Sequence, residues 1–321
     1  FIMPNYQGVW SLTTQMQNRT GWPTFVPTRG LLFGGDNGSN VINTIQFIEI
    51  EKSGNSTDFG DLSAVSKGGA AVSSSTRAVY ANIWTGGSYT NTIEYVTIAT
   101  EGNSTDFGNY DITATYLGAS SSSTRGVFAG GWDGSRKQGM YYITIASTGN
   151  SSTFGNLSAA ASGLNSSSCG STTRGLFSGG YTGSGYSTEI QYITIASTGN
   201  TTDFGDLTVG RYALDATSSS TRGVFFGGID SAWRNVIDYV TIASTGNATD
   251  FGDMTQDIAY MGATSNKITG VSMGGRTSSA YNKTEIDQVT IASTGNATDF
   301  GDLTAGGSYT AGASSAHGGL S

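Results

Sequence analysis

The chain has 321 residues, a net charge of −8, 12% charged residues and 48 glycines. With 15 basic against 23 acidic side chains and no basic run, binding to nucleic acid through phosphate neutralisation is disfavoured. No apolar stretch approaches the roughly 20 residues that cross a bilayer, so membrane insertion is not expected. The single cysteine, Cys169, leaves no intrachain disulfide and reads as a small buried thiol.

Residues 1–28 match no later segment and hold Trp10, Trp22, Pro23 and Pro27. An apolar stretch outside the repeat is expected to be an arm that tethers the chain to a neighbour. Its first residues show no charged segment leading into an apolar one, so no secretory signal is expected there.

From Arg29 onward the chain repeats. The marker phenylalanines Phe59, Phe107, Phe154, Phe204, Phe251 and Phe300 are separated by 48, 47, 50, 47 and 49 residues. A period near fifty, rich in glycine and strand formers, predicts an all-β propeller of four-stranded antiparallel blades. The repeats lie near 29–76, 77–124, 125–173, 174–221, 222–267 and 268–303, within a propeller domain spanning 29–321. So much Gly and Ser would suit disorder, but each copy sets β-branched and aromatic residues in register.

The second strand of a blade ends in paired glycines, as in "RGLLFGG" (29–35) and "RGVFFGG" (222–228). In the second repeat Asn82-Ile83 stand where the pair should be, and in the sixth Thr269 replaces the arginine. A third strand follows, such as "NVIDYVTIAS", with Glu94, Glu189, Glu285 and Asp238 read as solvent-facing polar positions. "STGN" supplies a turn into the outer strand "ATDFGDL". Each repeat closes on a segment of small residues, "GGAAVSSST" (68–76) or "YLGASSSST" (116–124), suited to the crowded axis. After the last "DFGDL" the chain adds "SYTAGASSAHGG", which matches these inner strands and then stops. Repeat one has no such strand before Arg29, so 308–316 is expected to close a six-bladed ring by entering the first blade.

Several residues are candidates for chemistry. The turn "STDFGDLS" (56–63) nearly fits an Asp-box, with Ser63 in the tryptophan position; Asp58 is expected to cap the turn. Calcium held by Asn55, Asp58 and Asp61 is the alternative, weakened because the third repeat has Thr153 and Asn156 instead of two aspartates. Arg29, Arg77, Arg125, Arg174 and Arg222, one per repeat, form either a cationic ring for an anion or structural ion pairs with a neighbouring "DFGD". The only histidine is His317, and His or Cys clusters are lacking, so no enzyme activity, cofactor or metal is expected. Trp84, Trp132, Tyr181 and Trp233 fall in or near the loops after the Gly pairs, which diverge most among repeats. Divergent loops on a uniform scaffold are where recognition sits, and these aromatics are the candidate binding residues.

The Gly pair after the second strand, the aromatic in the third and the large aromatic in the fourth resemble a kelch blade, with phenylalanine where kelch has tryptophan. In wording, "IDYVTIASTGNATDFGDL…SSSTRGVFFGG" and the opening "GVWSLTTQMQNRTGWP" (8–23) resemble virion structural and tail-associated proteins of tailed bacteriophages. That resemblance implies a non-enzymatic virion component, in the tail or its appendages. It implies a larger homo- or hetero-oligomeric assembly, contacts with other virion proteins through residues 1–28, and possible attachment to a host surface glycan or receptor. No catalytic residue carries over. The alternative is a secreted lectin-like propeller that binds glycan or protein.

Overall fold

The computed structural model describes residues 27–320; residues 1–26, which include Trp10, Trp22 and Pro23 of the expected arm, and residue 321 lie outside it. The fold is the expected all-β propeller with six antiparallel blades around one axis. Blade five shows the plan: inner strand Asp215–Ser218, second Arg222–Phe226, third Val236–Thr241 and outer Thr249–Asp253.

The ring closes as expected. Ala311–Ser314 is the inner strand of blade one and pairs antiparallel with Arg29–Asp36, Gly30 opposite Ser314 and Phe33 opposite Ala311. A sequence repeat is therefore offset from a blade by one strand. Blade four departs from the plan. Its inner segment carries the longer spacing around Cys169 and makes only a bridge from Gly170 to Gly175, so its regular sheet has three strands. In blade two the ladder runs past the missing Gly pair to Trp84, which lies opposite Tyr89 in a continuous strand rather than in a loop.

The repeated words are staples between blades. In every blade the asparagine of the "TGN" turn accepts the amide of the residue after the outer-strand glycine of the preceding blade. Asn103 Oδ1 takes Asp61 N at 3.0 Å, and Asn55 Oδ1 takes Asp302 N at 3.0 Å across the closure. Gly60 leaves room for this: a Cβ there would lie 2.4 Å from the Gly102 carbonyl oxygen. Asparagine, not Asp58, thus does the capping; Asp58 is exposed. The reason is position: the turn's asparagine reaches the outer strand of the preceding blade.

The expected solvent-facing positions of the third strand are not all exposed. Glu94 is 1% and Asp238 0% exposed. A propeller blade is covered by neighbours on both faces, so alternation does not mark a wet side. These residues, with Gln46, Gln191 and Asp287, hold the start of the loop leaving the previous blade's outer strand. Glu94 accepts from Ser63 N, Gln191 from Ser158 N, Asp287 from Thr255 and Gln46 from Ala305 N. Glu189 and Glu285 stand two positions earlier in the register and are half-exposed.

Two rings of hydrogen bonds line the axis. At one end Gly68, Tyr116, Gly163, Ala213, Tyr260 and Tyr309 all adopt left-handed backbone, φ between 56° and 71°. Each donates its N–H to the carbonyl of the counterpart in the preceding blade, from Tyr116 N to Gly68 O at 2.6 Å round to Gly68 N to Tyr309 O at 2.8 Å. Left-handed backbone costs a non-glycine residue ~1–2 kcal/mol, which the closed ring offsets. At the other end inner-strand serines link the blades with side chains: Ser73 Oγ donates to Ser314 O, Ser314 Oγ to Ser265 O, Ser265 Oγ to Ser218 O and Ser218 Oγ to Gly170 O, while blade four meets blade three through the Ser168 and Ser121 hydroxyls.

The chain's last residues seal this second end. His317 is 2% exposed; its Nε2 lies 3.2 Å from Ser73 O and its Nδ1 accepts Gly319 N at 3.1 Å. This pairing fits the neutral ring with the proton on Nε2. Burial lowers its pKa from 6.5 to about 4. Towards the first end Asp215 is fully buried, accepting from Ser167 N, Ser167 Oγ and Ala263 N. Burial outweighs these donors and raises its pKa from 3.8 to about 7.

The two groups act oppositely on stability. Between about 4 and 6.5 the unfolded chain binds more proton at His317 than the folded one, so His317 makes stability rise with pH. Between 3.8 and about 7 the folded chain binds more proton at Asp215, so Asp215 makes stability fall with pH. In unfolding measured from pH 4 to 7, Asp215→Asn minus wild type is expected to change with an upward slope and His317→Asn minus wild type with a downward one. Each amounts to on the order of 3 kcal/mol across its window. Flat differences would refute the assignment.

Candidate functional site

Loops joining second to third strands and loops joining outer to next inner strands meet on the face nearest the tyrosine-bearing ring. Tyr116, Tyr260 and Tyr309 project from that ring, and the left-handed backbone holds them there. Tyr309 and Tyr260 centroids are 4.2 Å apart, Tyr260 stands edge-on to Tyr212 at 6.0 Å, and Tyr212 stacks on Tyr186 at 5.6 Å and 15°. Tyr116 meets Tyr309 at 5.9 Å. The result is one connected aromatic surface around the axis.

Of the residues singled out by sequence, Trp132, Tyr181 and Trp233 join this surface. Tyr181 contacts Tyr186 and Tyr212, and Trp233 contacts Tyr260 at 6.4 Å. Trp132 joins through Arg136, whose guanidinium lies 5.0 Å from the Trp132 centroid and 4.4 Å from that of Tyr181. Trp84 packs on Tyr89 at 4.8 Å at the end of its strand. Sequence reasoning missed Tyr116, Tyr186, Tyr212, Tyr260, Tyr309, Arg136 and Arg276. A tyrosine just before the small-residue segment, as in "TYLGAS" and "AYMGAT", was the available signal.

Arg276 sits among Trp233, Tyr260, Tyr281 and Tyr309, 3.6 Å from the Tyr281 centroid, and donates to Tyr309 Oη at 2.8 Å. Burial raises the Tyr309 pKa and the Arg276 guanidinium lowers it; burial prevails and the pKa is raised. Over Gly163, where no ring projects, a cleft of about 290 Å³ opens between Trp132, Arg136, Tyr181, Tyr186 and Tyr212. Its lining side chains are aromatic, hydroxyl and guanidinium groups, with no carboxylate, thiol or imidazole among them.

The five arginines of the second strands lie elsewhere. Each stacks on the third-strand aromatic of its own blade: Arg29 over Phe47, Arg77 over Tyr95, Arg125 over Tyr142, Arg174 over Tyr192 and Arg222 over Tyr239, at 4.1–4.5 Å. Each then donates to a main-chain carbonyl of the next blade: Ile98, Ile145, Ile195, Ile242 and Ile291 in order. The acceptors are carbonyls instead of "DFGD" carboxylates. Only Arg29 adds a carboxylate, Glu101, at 2.9 Å. A guanidinium has donors enough for a rivet of this kind, and a stacked aromatic fixes its plane. Asn55 lies in the turn before the outer strand Thr57–Asp61, which holds Asp58 and Asp61, and Asn55 Oδ1 is engaged by the Asp302 amide.

No protein-family model matches the chain, and no curated protein matches it. Among the described residues no helix is long and apolar enough to cross a membrane.

Proposed function

We propose that this chain is a non-enzymatic recognition propeller of a tailed-phage particle, and that its aromatic face binds a glycan of the host surface. The observation that carries the binding half is the connected surface from Trp132 through Tyr181, Tyr186, Tyr212 and Tyr260 to Tyr309, gathered at one end of the axis. Pyranose rings present apolar C–H faces and a rim of hydroxyls. Stacked aromatics with a few convergent donors suit both. The cleft's lack of an acid–base pair among its lining residues favours binding over turnover. The virion half rests on the wording of the repeats and of residues 8–23, with residues 1–28 docking the propeller to neighbouring virion proteins in a larger assembly.

The test replaces Trp132 and Trp233 with alanine, singly and together, and measures adsorption to host cells and binding to a glycan panel. Each ring at the centre of such a surface is expected to cost about tenfold or more in affinity, with the melting profile retained. Unchanged binding by the folded double variant would remove the glycan reading. Antibody labelling of purified particles checks the virion half independently: particles that lack the chain would remove it.

A further inference from the structure

Three consecutive blades build their top loops on one plan, and the differences between them are informative. In blades three and five an i,i+4 ion pair closes the loop: Lys137 with Asp133 at 2.6 Å, and Arg234 with Asp230 at 2.6 Å. The amide of the closing residue bonds the second glycine of the pair, Lys137 N to Gly131 O and Arg234 N to Gly228 O; in blade four Ser187 N does so to Gly180 O. The residue just before the closing one is thus Arg136, Tyr186 or Trp233. Each is bridged to the residue after the Gly pair, Trp132, Tyr181 or Ile229. These matched positions face the aromatic surface, and blade three alone fills it with a cation.

Among the described residues Arg136 is a cation without a counterpart. Its loop's structural pairing is already made by Lys137. Its Nε is buried with no hydrogen-bond partner, and among the described residues no acceptor or carboxylate meets its guanidinium. The neighbouring cations of this face are engaged: Lys67 by Asp36, Arg234 by Asp230, Lys283 by Glu285 and Arg276 by the Tyr309 hydroxyl. Flanked by Trp132 and Tyr181, the guanidinium is held in place and partly stripped of water, with its five donors uncommitted. It lines the cleft whose floor is opened by Gly163, beside the stacked Tyr186–Tyr212 pair.

We infer that this cleft takes a sugar bearing a carboxylate, of the uronic or sialic acid type, with the carboxylate on Arg136 and the pyranose against the tyrosines. The inference rests on the glycan reading above and names its substrate class. A planar guanidinium meets a carboxylate with two parallel N–H···O bonds, a match that a hydroxyl cannot offer. The cleft of about 290 Å³ lies at the low end of small-molecule sites, which suits one terminal sugar residue. The net charge of −8 opposes an anion at long range, so attraction must come from this one local group.

The experiment measures binding of N-acetylneuraminic acid and of methyl glucuronide to the full chain, each beside its neutral methyl ester. Esterification is expected to weaken binding about 10- to 100-fold. Arg136→Gln is expected to remove that difference while leaving ester binding in place, and Lys267→Gln, at an exposed cation outside the cleft, to behave as wild type. Equal binding of acid and ester would overturn the inference and leave the glycan reading standing. So would an acid preference that survives in folded Arg136→Gln. Failure of acid, ester and the neutral members of the glycan panel alike would take down both. Should Arg136→Gln not fold, the acid–ester comparison on the unaltered chain still decides.

Discussion

Removing residues 306–321 is expected to abolish the folded monomer. The deletion takes away the inner strand of blade one, Ala311–Ser314, whose residues are nearly or fully buried. It leaves the strand Arg29–Asp36 with an unpaired inner edge at the seam between the first and last blades. Both axial rings break: Tyr309 no longer links Tyr260 to Gly68, and Ser314 no longer links Ser265 to Ser73. The His317 seal goes with them. The seam is also the one junction whose second strand begins with Thr269 and so lacks the arginine rivet; Asn266 instead donates to Glu51 at 3.1 Å. The combined loss is expected to reach or exceed about 5 kcal/mol, comparable to the whole stability of many domains. The measurement is thermal unfolding and sedimentation of the truncated chain, with and without a synthetic peptide spanning 304–321. Recovery of a cooperative transition by the added peptide would show strand complementation. A truncated chain that is monomeric and melts like the full one would show that the closure is dispensable.

Asp238→Ala is expected to cost about 3–5 kcal/mol. Asp238 and Arg211 form an ion pair at 2.8 Å with both side chains at 0% exposure. Asp238 also accepts from Thr208 Oγ1 at 2.6 Å and Thr208 N at 3.2 Å. Burial lowers the pKa of Arg211, and Asp238 offsets part of that shift. Without the carboxylate, the guanidinium is a buried charge whose Nε and Nη2 already lack partners. Replacing both, as Arg211→Met with Asp238→Leu, is expected to recover most of the loss, because no buried charge then remains. Denaturant unfolding of the single and double variants checks this. A double variant no more stable than Asp238→Ala would mean that the Thr208 contacts, and not the unpaired charge, carry the effect.

Much of the architecture was legible in the sequence because every blade has to solve the same local problem. The "TGN" and "TDFGD" words recur since each outer strand must be stitched to its neighbour through an asparagine and a glycine with no room for a side chain. The six phenylalanines fall on the same buried position, between 2% and 3% exposed. The extra small-residue segment at the C-terminus had only one vacancy to fill, in blade one.

Other features belong to the assembled ring alone. Whether a third-strand position is wet depends on what covers both faces of a blade, so Glu94 and Asp238 looked like surface residues and are core anchors. The acceptors of the blade arginines are main-chain carbonyls, which carry no signature in side-chain identity. The aromatic face joins Tyr116, Tyr186, Tyr212, Tyr260 and Tyr309 from separate repeats. Nothing local tells a tyrosine to adopt left-handed backbone; the closed ring of amide–carbonyl bonds imposes it. In the chain Arg136 and Lys137 are adjacent cations of equal standing. Only the loop geometry, which pairs Lys137 with Asp133 and turns Arg136 between two rings, separates the structural charge from the one left to meet a ligand.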